Sequence, residues 1–310
     1  MVKANYEGDT EKGQAKSPST SLSKAEILGN CFIFFFAGHE TTANNIHFSI
    51  IYLAMELPAQ KFMQDEIDEI VGDKPTSEWS YYNDMPRLYN SMVGAVIHEE
   101  LRLVPAIPNL PKTAVGDQTI TMDGKQYVIP ADTFVHMNIV SLHRNPKYWP
   151  EDPNQFMPER WLPSLNETSG KKEKIESAVD EDVEPGGAAS FDTTGSASLM
   201  KPEKGSYIPF SDGARGCPGK RFAQVESTAV LSAIFQKYSV ELDVSDWATD
   251  GEVEDMSKEE KARVYAKATK RAKDMIARAE QVITVQLLPG DKVPVRFVER
   301  GQERFSVLLD

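Results

Sequence analysis

The stretch FSDGARGCPGK, residues 210–220, holds one of only two cysteines in a chain of 310 residues. The other, Cys31, stands far upstream in the apolar run CFIFFFA and reads as core. Two isolated cysteines argue for a reducing compartment, where a surviving thiol is either buried filler or chemistry. The neighbours of Cys217 favour chemistry, because a thiolate needs its charge stabilised. Arg215 lies close before it, and a helix is expected to begin just past Pro218. A helix start offers unpaired N–H groups and partial positive charge, which lower a thiol's pKa. Gly213 and Gly219 let the backbone turn tightly and leave room for a flat ligand, and Phe210 is placed to shield the sulfur.

Outward from that loop, the pattern is mainly helical with a small sheet, an α+β class. Ser23 with Glu26 forms a capping box that opens a helix running through the apolar stretch to a stop before Pro58. This helix is apolar nearly all round, so it is expected to cross the interior. An amphipathic helix follows, ending at Gly72, and a third helix covers NSMVGAVIHEELRLV, stopping at Pro105. From Thr113 to Val140 short β-rich runs flank an Asp-Gly pair and read as sheet. HRNPKYWPEDPNQFMPERWLP is too rich in proline for either element. A helix is expected over GKRFAQVESTAVLSAIFQKY. Another, at about 257–281, is capped by Ser257 with Glu260 and striped by Val264, Tyr265, Ala268, Ala272, Met275 and Ile276. The end, VPVRFVERGQERFSVLL, alternates like strands. Residues 1–20 read as a disordered lead-in, and about 164–204 as an exposed low-complexity insertion.

A net charge of −13, from 34 Lys+Arg against 47 Asp+Glu, argues against nucleic acid as the partner. The polar N-terminus lacks a signal-peptide core, and CFIFFFA falls far short of the roughly 20 residues a spanning helix needs. The sequence therefore reads as intracellular, with no membrane anchor of its own.

The loop's features suit a cysteine that ligates haem iron, where thiolate donation favours O–O cleavage. Phe210, Gly213, Arg215, Cys217 and Gly219 also fill every fixed position of the haem-binding signature F-x-x-G-x-R-x-C-x-G. With each residue at about 5% usage, such a match arises by chance on the order of once in a million registers. On these residues the chain resembles the cytochrome P450 family. The competing reading is a buried structural cysteine in a turn.

Other motifs follow the family's order. AGHETT, Ala37 to Thr42, sits inside a helix where such residues are costly. Ala37 and Gly38 share a face with Thr41 and open space there. A Thr hydroxyl can bond back to a carbonyl one turn earlier. The resemblance implies that this is the oxygen-binding groove, with Thr41 and Glu40 relaying protons; otherwise it is a self-satisfied polar patch. Glu99 and Arg102 of EELR, with Arg160 of PERW, are implied by the resemblance to lock the support of the haem loop. Removing one member of a buried network of that kind costs about 3–5 kcal/mol. Lys112 stands where many members place a basic residue for a haem propionate, and reads equally as a solvated lysine. Lys220 and Arg221 are either a dock for an acidic reductase or a solvated helix cap. His39, His98, His136 and His143 lack the spacing of zinc ligands.

The resemblance covers nearly all of residues 21–310, but only the family's C-terminal half, so the cytochrome P450 fold is expected here without its N-terminal half. It implies haem b held by Cys217 and electrons passed from NADPH through a reductase. One oxygen atom of O2 would then enter an apolar organic substrate. It also implies the fungal microsomal type, whose members are usually anchored to the endoplasmic reticulum. A haem-thiolate isomerase or peroxygenase, or an inactive truncated remnant, are the alternative readings.

Overall fold

The computed structural model describes residues 22–162 and 199–309. The chain falls into two compact units, residues 1–43 and 44–310. The boundary lies within helix α1, Lys24–Met55.

The described part of the first unit is one helical stretch. Its start is fixed as the sequence predicts: the Ser23 N–H donates to Glu26 Oε2 at 2.7 Å, and the Glu26 N–H donates to Ser23 Oγ at 3.3 Å. Here, however, the expectation of an interior helix fails. Leu28, Phe32 and Phe35 are 70%, 68% and 75% exposed, and Cys31 is exposed rather than core. A single helix has only itself to bury its faces against. Its rings instead stack along the helix, Phe32 on Phe36 and Phe35 on His39.

In the second unit α1 turns apolar inward, and Phe48, Ile51, Leu53 and Ala54 are buried. Glu56, with non-helical backbone, separates α1 from α2, Leu57–Val71. Pro58 lies in the first turn of α2, where its missing N–H is not required. Gly72, at φ 52°, closes α2 by donating to the Asp68 carbonyl at 2.9 Å. A short helix that the sequence did not announce, α3, Asp84–Tyr89, leads into α4, Met92–Leu103. Gly94 permits that junction: a Cβ there would sit 1.8 Å from the Tyr89 carbonyl oxygen. Nearly every residue of α4 is buried, among them Val93, Val96 and Ile97. Each such side chain contributes roughly 1.5–3 kcal/mol by leaving water.

Among the described residues the strands form four two-stranded antiparallel sheets. β1, Asn109–Thr113, pairs with β4, Phe134–Asn138. β2, Gln118–Met122, and β3, Lys125–Ile129, form the hairpin that the Asp-Gly pair predicts, with Asp123 and Gly124 at φ 50° and 75°. A short α5, Ile139–His143, follows β4. The proline-rich stretch after it is irregular apart from a 3-10 turn at Pro158–Trp161.

Residues 163–198, most of the expected insertion, and the 1–20 lead-in lie outside the described residues. At the insertion's described end, Lys201, Glu203 and Lys204 are exposed. Leu199 is buried, and the Met200 N–H donates to the Trp161 carbonyl at 2.7 Å.

α6, Lys220–Phe235, packs against α3 and α4. It is followed by β5, Tyr238–Leu242, the six-residue α7, Asp250–Asp255, and α8, Lys258–Ala277. Both predicted halves of the Ser257–Glu260 capping box form, and Val264, Tyr265, Ala268 and Ala272 are buried. β6, Glu280–Gln281, pairs with β7, Val285–Gln286, and β8, Val295–Glu299, pairs with β5. The strand pattern at the end of the chain stops there. Gly301, at φ 89°, turns the chain, and Glu241 then captures the Arg304 side chain and the Phe305 N–H, leaving a 3-10 turn at Ser306–Leu308.

Candidate functional site

The cysteine loop is shaped by its own backbone. The Cys217 N–H donates to the Phe210 carbonyl at 2.8 Å, closing residues 210–217 into a ring. Inside it, Gly213 at φ 70° begins a 3-10 turn over Gly213–Arg215, and its N–H is held by Asp212 Oδ1 at 2.7 Å. Ser211 shares the left-handed backbone at φ 62°. Such strain in a non-glycine residue tends to mark a functional loop. α6 begins right after, with Gly219 at its N-cap and no side-chain cap. Its first N–H groups therefore lack a protein side-chain partner beside the thiol. The Cys217 thiol is free and exposed, as is Arg215, while Phe210 is half-buried against the core. No atom lies within 4 Å of a Cβ built on Gly213, and one on Gly219 would meet Cys217 Sγ at 3.8 Å. The loop thus gathers all five signature residues around an open, side-chain-free face.

On α4, Glu99 is a fully buried junction. Arg102 grips it with Nε and Nη2, both at 2.8 Å. Arg160 Nε donates to it at 3.0 Å, Trp161 Nε1 at 2.9 Å and the Met157 N–H at 2.9 Å. Arg102, also wholly buried, further donates to the carbonyls of His143, Pro153 and Gln155. This knits α4 to the irregular segment that no hydrogen-bond ladder could hold. The neighbouring Glu100 has no cation. Asn45 donates to its Oε2, its Oε1 is unpartnered, and burial holds its pKa well above the usual carboxylate range.

In the first unit, Thr41 Oγ1 donates back to the Ala37 carbonyl at 2.8 Å, the bond expected of a helical threonine. Space beside Gly38 is open, with nothing within 4 Å of a Cβ built there. The Glu40 carboxylate is half-buried and Cys31 lies two turns back on the exposed helix. Lys112, on β1 opposite Val135, is exposed.

Comparison with known proteins decides what these parts belong to. The sequence model of the family described as Cytochrome P450 matches residues 4–264. The chain belongs to the cytochrome P450 family. It is 30% identical to a cytochrome P450 monooxygenase of Arthrobotrys oligospora, over 97% of this chain and 48% of that protein. It is also 30% identical to cytochrome P450 3A13 of Mus musculus, over 75% of this chain and 38% of the relative. A self-sufficient cytochrome P450 monooxygenase of Phanerodontia chrysosporium is 29% identical over 74% of this chain and 18% of its own length. The chain spans about half the length of the first of these relatives and less of the others.

Within this P450 chain, the approach to the cysteine loop is held by residues that the motifs did not single out. The Ile208 N–H donates to His143 Nε2 at 2.9 Å, which requires a neutral imidazole. Burial lowers the His143 pKa to about 4. His98 bridges the hydroxyls of Tyr89 and Tyr207, at 2.8 and 3.0 Å, and stacks on Trp161 at 5.0 Å. Burial, with a smaller contribution from Lys220, lowers its pKa to about 4 as well. The two histidines that failed as zinc ligands are therefore braces for the chain entering the loop. Their shared tyrosine neighbour, Tyr207, lies far downstream of both, beyond the reach of local pattern. Arg221, in the first turn of α6, acts electrostatically on Tyr89 of the same cluster.

Proposed function

We propose that the chain is the C-terminal half of a haem-thiolate monooxygenase, with Cys217 as the axial ligand. The observation that carries this reading is the closed Phe210–Cys217 ring, which offers a free thiol ahead of the uncapped start of α6. A soft thiolate, a nearby guanidinium and a glycine-lined open face are a donor set that fits a flat porphyrin with anionic propionates. Bound there, haem b supplies the activation of O2 for transfer of one oxygen atom to an apolar organic substrate.

The chain's own residues prepare that chemistry. The partial positive charge of the α6 start and the Arg215 guanidinium would offset the negative charge that the Cys217 sulfur carries as a ligand. Phe210 screens it from water, while Gly213 and Gly219 keep side chains off the ligand face. Ala37 and Gly38 leave room on the groove side of the first unit, and Lys112 pairs with a propionate. Thr41 spends its proton on the Ala37 carbonyl, so its oxygen is left as an acceptor. It accepts a hydrogen bond from an incoming proton donor, and Glu40 replenishes that donor. Glu99, Arg102 and Arg160 act only by holding the loop's support in place. Lys220 and Arg221 present positive charge to an acidic reductase that draws on NADPH.

The test is Cys217→Ser in a full-length context. Carbon monoxide added to the reduced parent is expected to give a strongly red-shifted Soret band, and the serine variant is expected to lose it. An unchanged spectrum in the variant would overturn the ligand assignment.

A further inference from the structure

The second unit carries an open cleft of about 750 Å³ that no residue of the cysteine loop lines. Its size falls within the range of small-molecule sites, roughly 300–1,000 Å³. Met55, Leu103, Val104 and Ile276 give it apolar walls, and Tyr52 and Arg144 face it as well. Tyr52 is only 8% exposed and stacks on Phe156, with ring centroids 4.6 Å apart. Among the described residues its hydroxyl has no hydrogen-bond partner, an arrangement that buried tyrosines ordinarily avoid. Arg144 donates through Nη2 to the Leu103 carbonyl at 2.8 Å, but its Nε is buried and unpartnered.

Charge at the cleft is equally incomplete. Of the two acidic residues lining it, Glu56 faces Lys273 at 3.8 Å and Asp152 is exposed. No carboxylate forms an ion pair with Arg144 among the described residues. Burial accordingly pulls the Arg144 pKa down, as expected for a cation lacking its counter-charge. The Tyr52 hydroxyl thus lines the cleft with its donor unused, beside a guanidinium that has no counter-charge.

We propose that this cleft binds a small carboxylate with an apolar tail, the carboxylate accepting from the Tyr52 hydroxyl beside the Arg144 guanidinium while the tail lies against Leu103, Val104 and Ile276. A monocarboxylate matches the site better than a phosphate, since Lys273 is paired with Glu56 and Asp152 also lines the cleft, so a doubly charged anion would meet more repulsion than Arg144 offsets. The site is independent of haem, and it stands or falls apart from the reading of Cys217.

The probe is radiolabelled decanoate, measured by equilibrium dialysis against the 310-residue chain carried as a soluble fusion, with the fusion partner alone as blank. Expected is saturable binding of one decanoate per chain, with 1-decanol competing at least tenfold less well. Tyr52→Phe and Arg144→Gln are each expected to weaken binding at least fivefold, and Val104→Trp, which fills the cleft, to abolish it. Thermal melting of each variant checks its folding. If Arg144→Gln fails to fold, Tyr52→Phe, which keeps ring and volume, carries the test alone. Non-saturable uptake onto exposed apolar surface, equal competition by decanol, or parental affinity in Tyr52→Phe would each overturn the proposal.

Discussion

Adjacent glutamates on α4 are both buried, yet only Glu99 is given cations, and the difference shows how strongly single residues here depend on distant ones. Five N–H donors converge on Glu99, so its burial leaves no oxygen unpaired. His98 and His143 are held neutral by burial, each at about 4 against the ordinary 6.5. In the unfolded chain both bind a proton as pH drops below 6.5, while the folded chain resists until about 4. Their stabilisation is therefore complete above about pH 6.5 and is lost progressively down to about pH 4, by about 3 kcal/mol per histidine. Urea midpoints measured across that window should fall as pH is lowered. They should fall less steeply in His143→Gln, whose amide oxygen can still accept from Ile208. Equal slopes in parent and variant would remove His143 as a source of the acid loss. Thr41→Ala belongs to the same scale. Haem binding should persist, but less product should form per NADPH consumed, with the difference appearing as hydrogen peroxide. Unchanged coupling would exclude the hydroxyl from the proposed mechanism.

At the scale of elements, caps and close approaches set where helices begin and how near they lie. Capping boxes at Ser23, Thr249 and Ser257 fix three starts through bonds local in sequence. The α3–α4 junction depends on a contact instead. Gly94→Ala would ordinarily favour a helix by about 1 kcal/mol. Here the added methyl collides with the Tyr89 carbonyl, a backbone atom that cannot rotate away. Overpacking of this kind costs about 1–3 kcal/mol, so a net loss of stability is expected despite the better helix former. Denaturant unfolding of Gly94→Ala beside its parent measures it, and a stabilised variant would show that the junction relaxes freely.

At the scale of the whole molecule, the decisive feature is exposed apolar surface. Leu28 and the run Phe32–Phe36 face solvent, an array of large side chains that soluble monomers seldom leave contiguous beyond a few hundred Å². None of the described helices is long and apolar enough to cross a membrane. Expressed alone, the chain is expected to aggregate, or to bind haem weakly and below one per chain, with no NADPH-driven oxidation. Light scattering after size exclusion and a haem-to-protein ratio measure this. A monomer with one haem per chain and a normal thiolate–carbon monoxide spectrum would contradict it.

What could be read along the chain was whatever depends on near neighbours. The five spaced residues of the cysteine loop, the Ser23 and Ser257 capping boxes, the Asp123–Gly124 hairpin and the α8 stripe all act within a few residues, so spacing alone exposes them. The back-bond of Thr41 belongs with these, since its acceptor is one helical turn away. Tertiary structure decided the rest, because burial and pairing depend on what the fold brings from afar. Cys31 and the phenylalanines after it looked like core, but apolarity marks a side chain for burial without providing a neighbour to bury it. The last strands looked plausible until Glu241 proved to hold Arg304 and Phe305 in a turn. Nothing local distinguishes Glu99 from Glu100, or marks His98 and His143 as braces. Their roles come from Arg160, Asn45, Tyr207 and Ile208, partners that only the folded chain sets beside them.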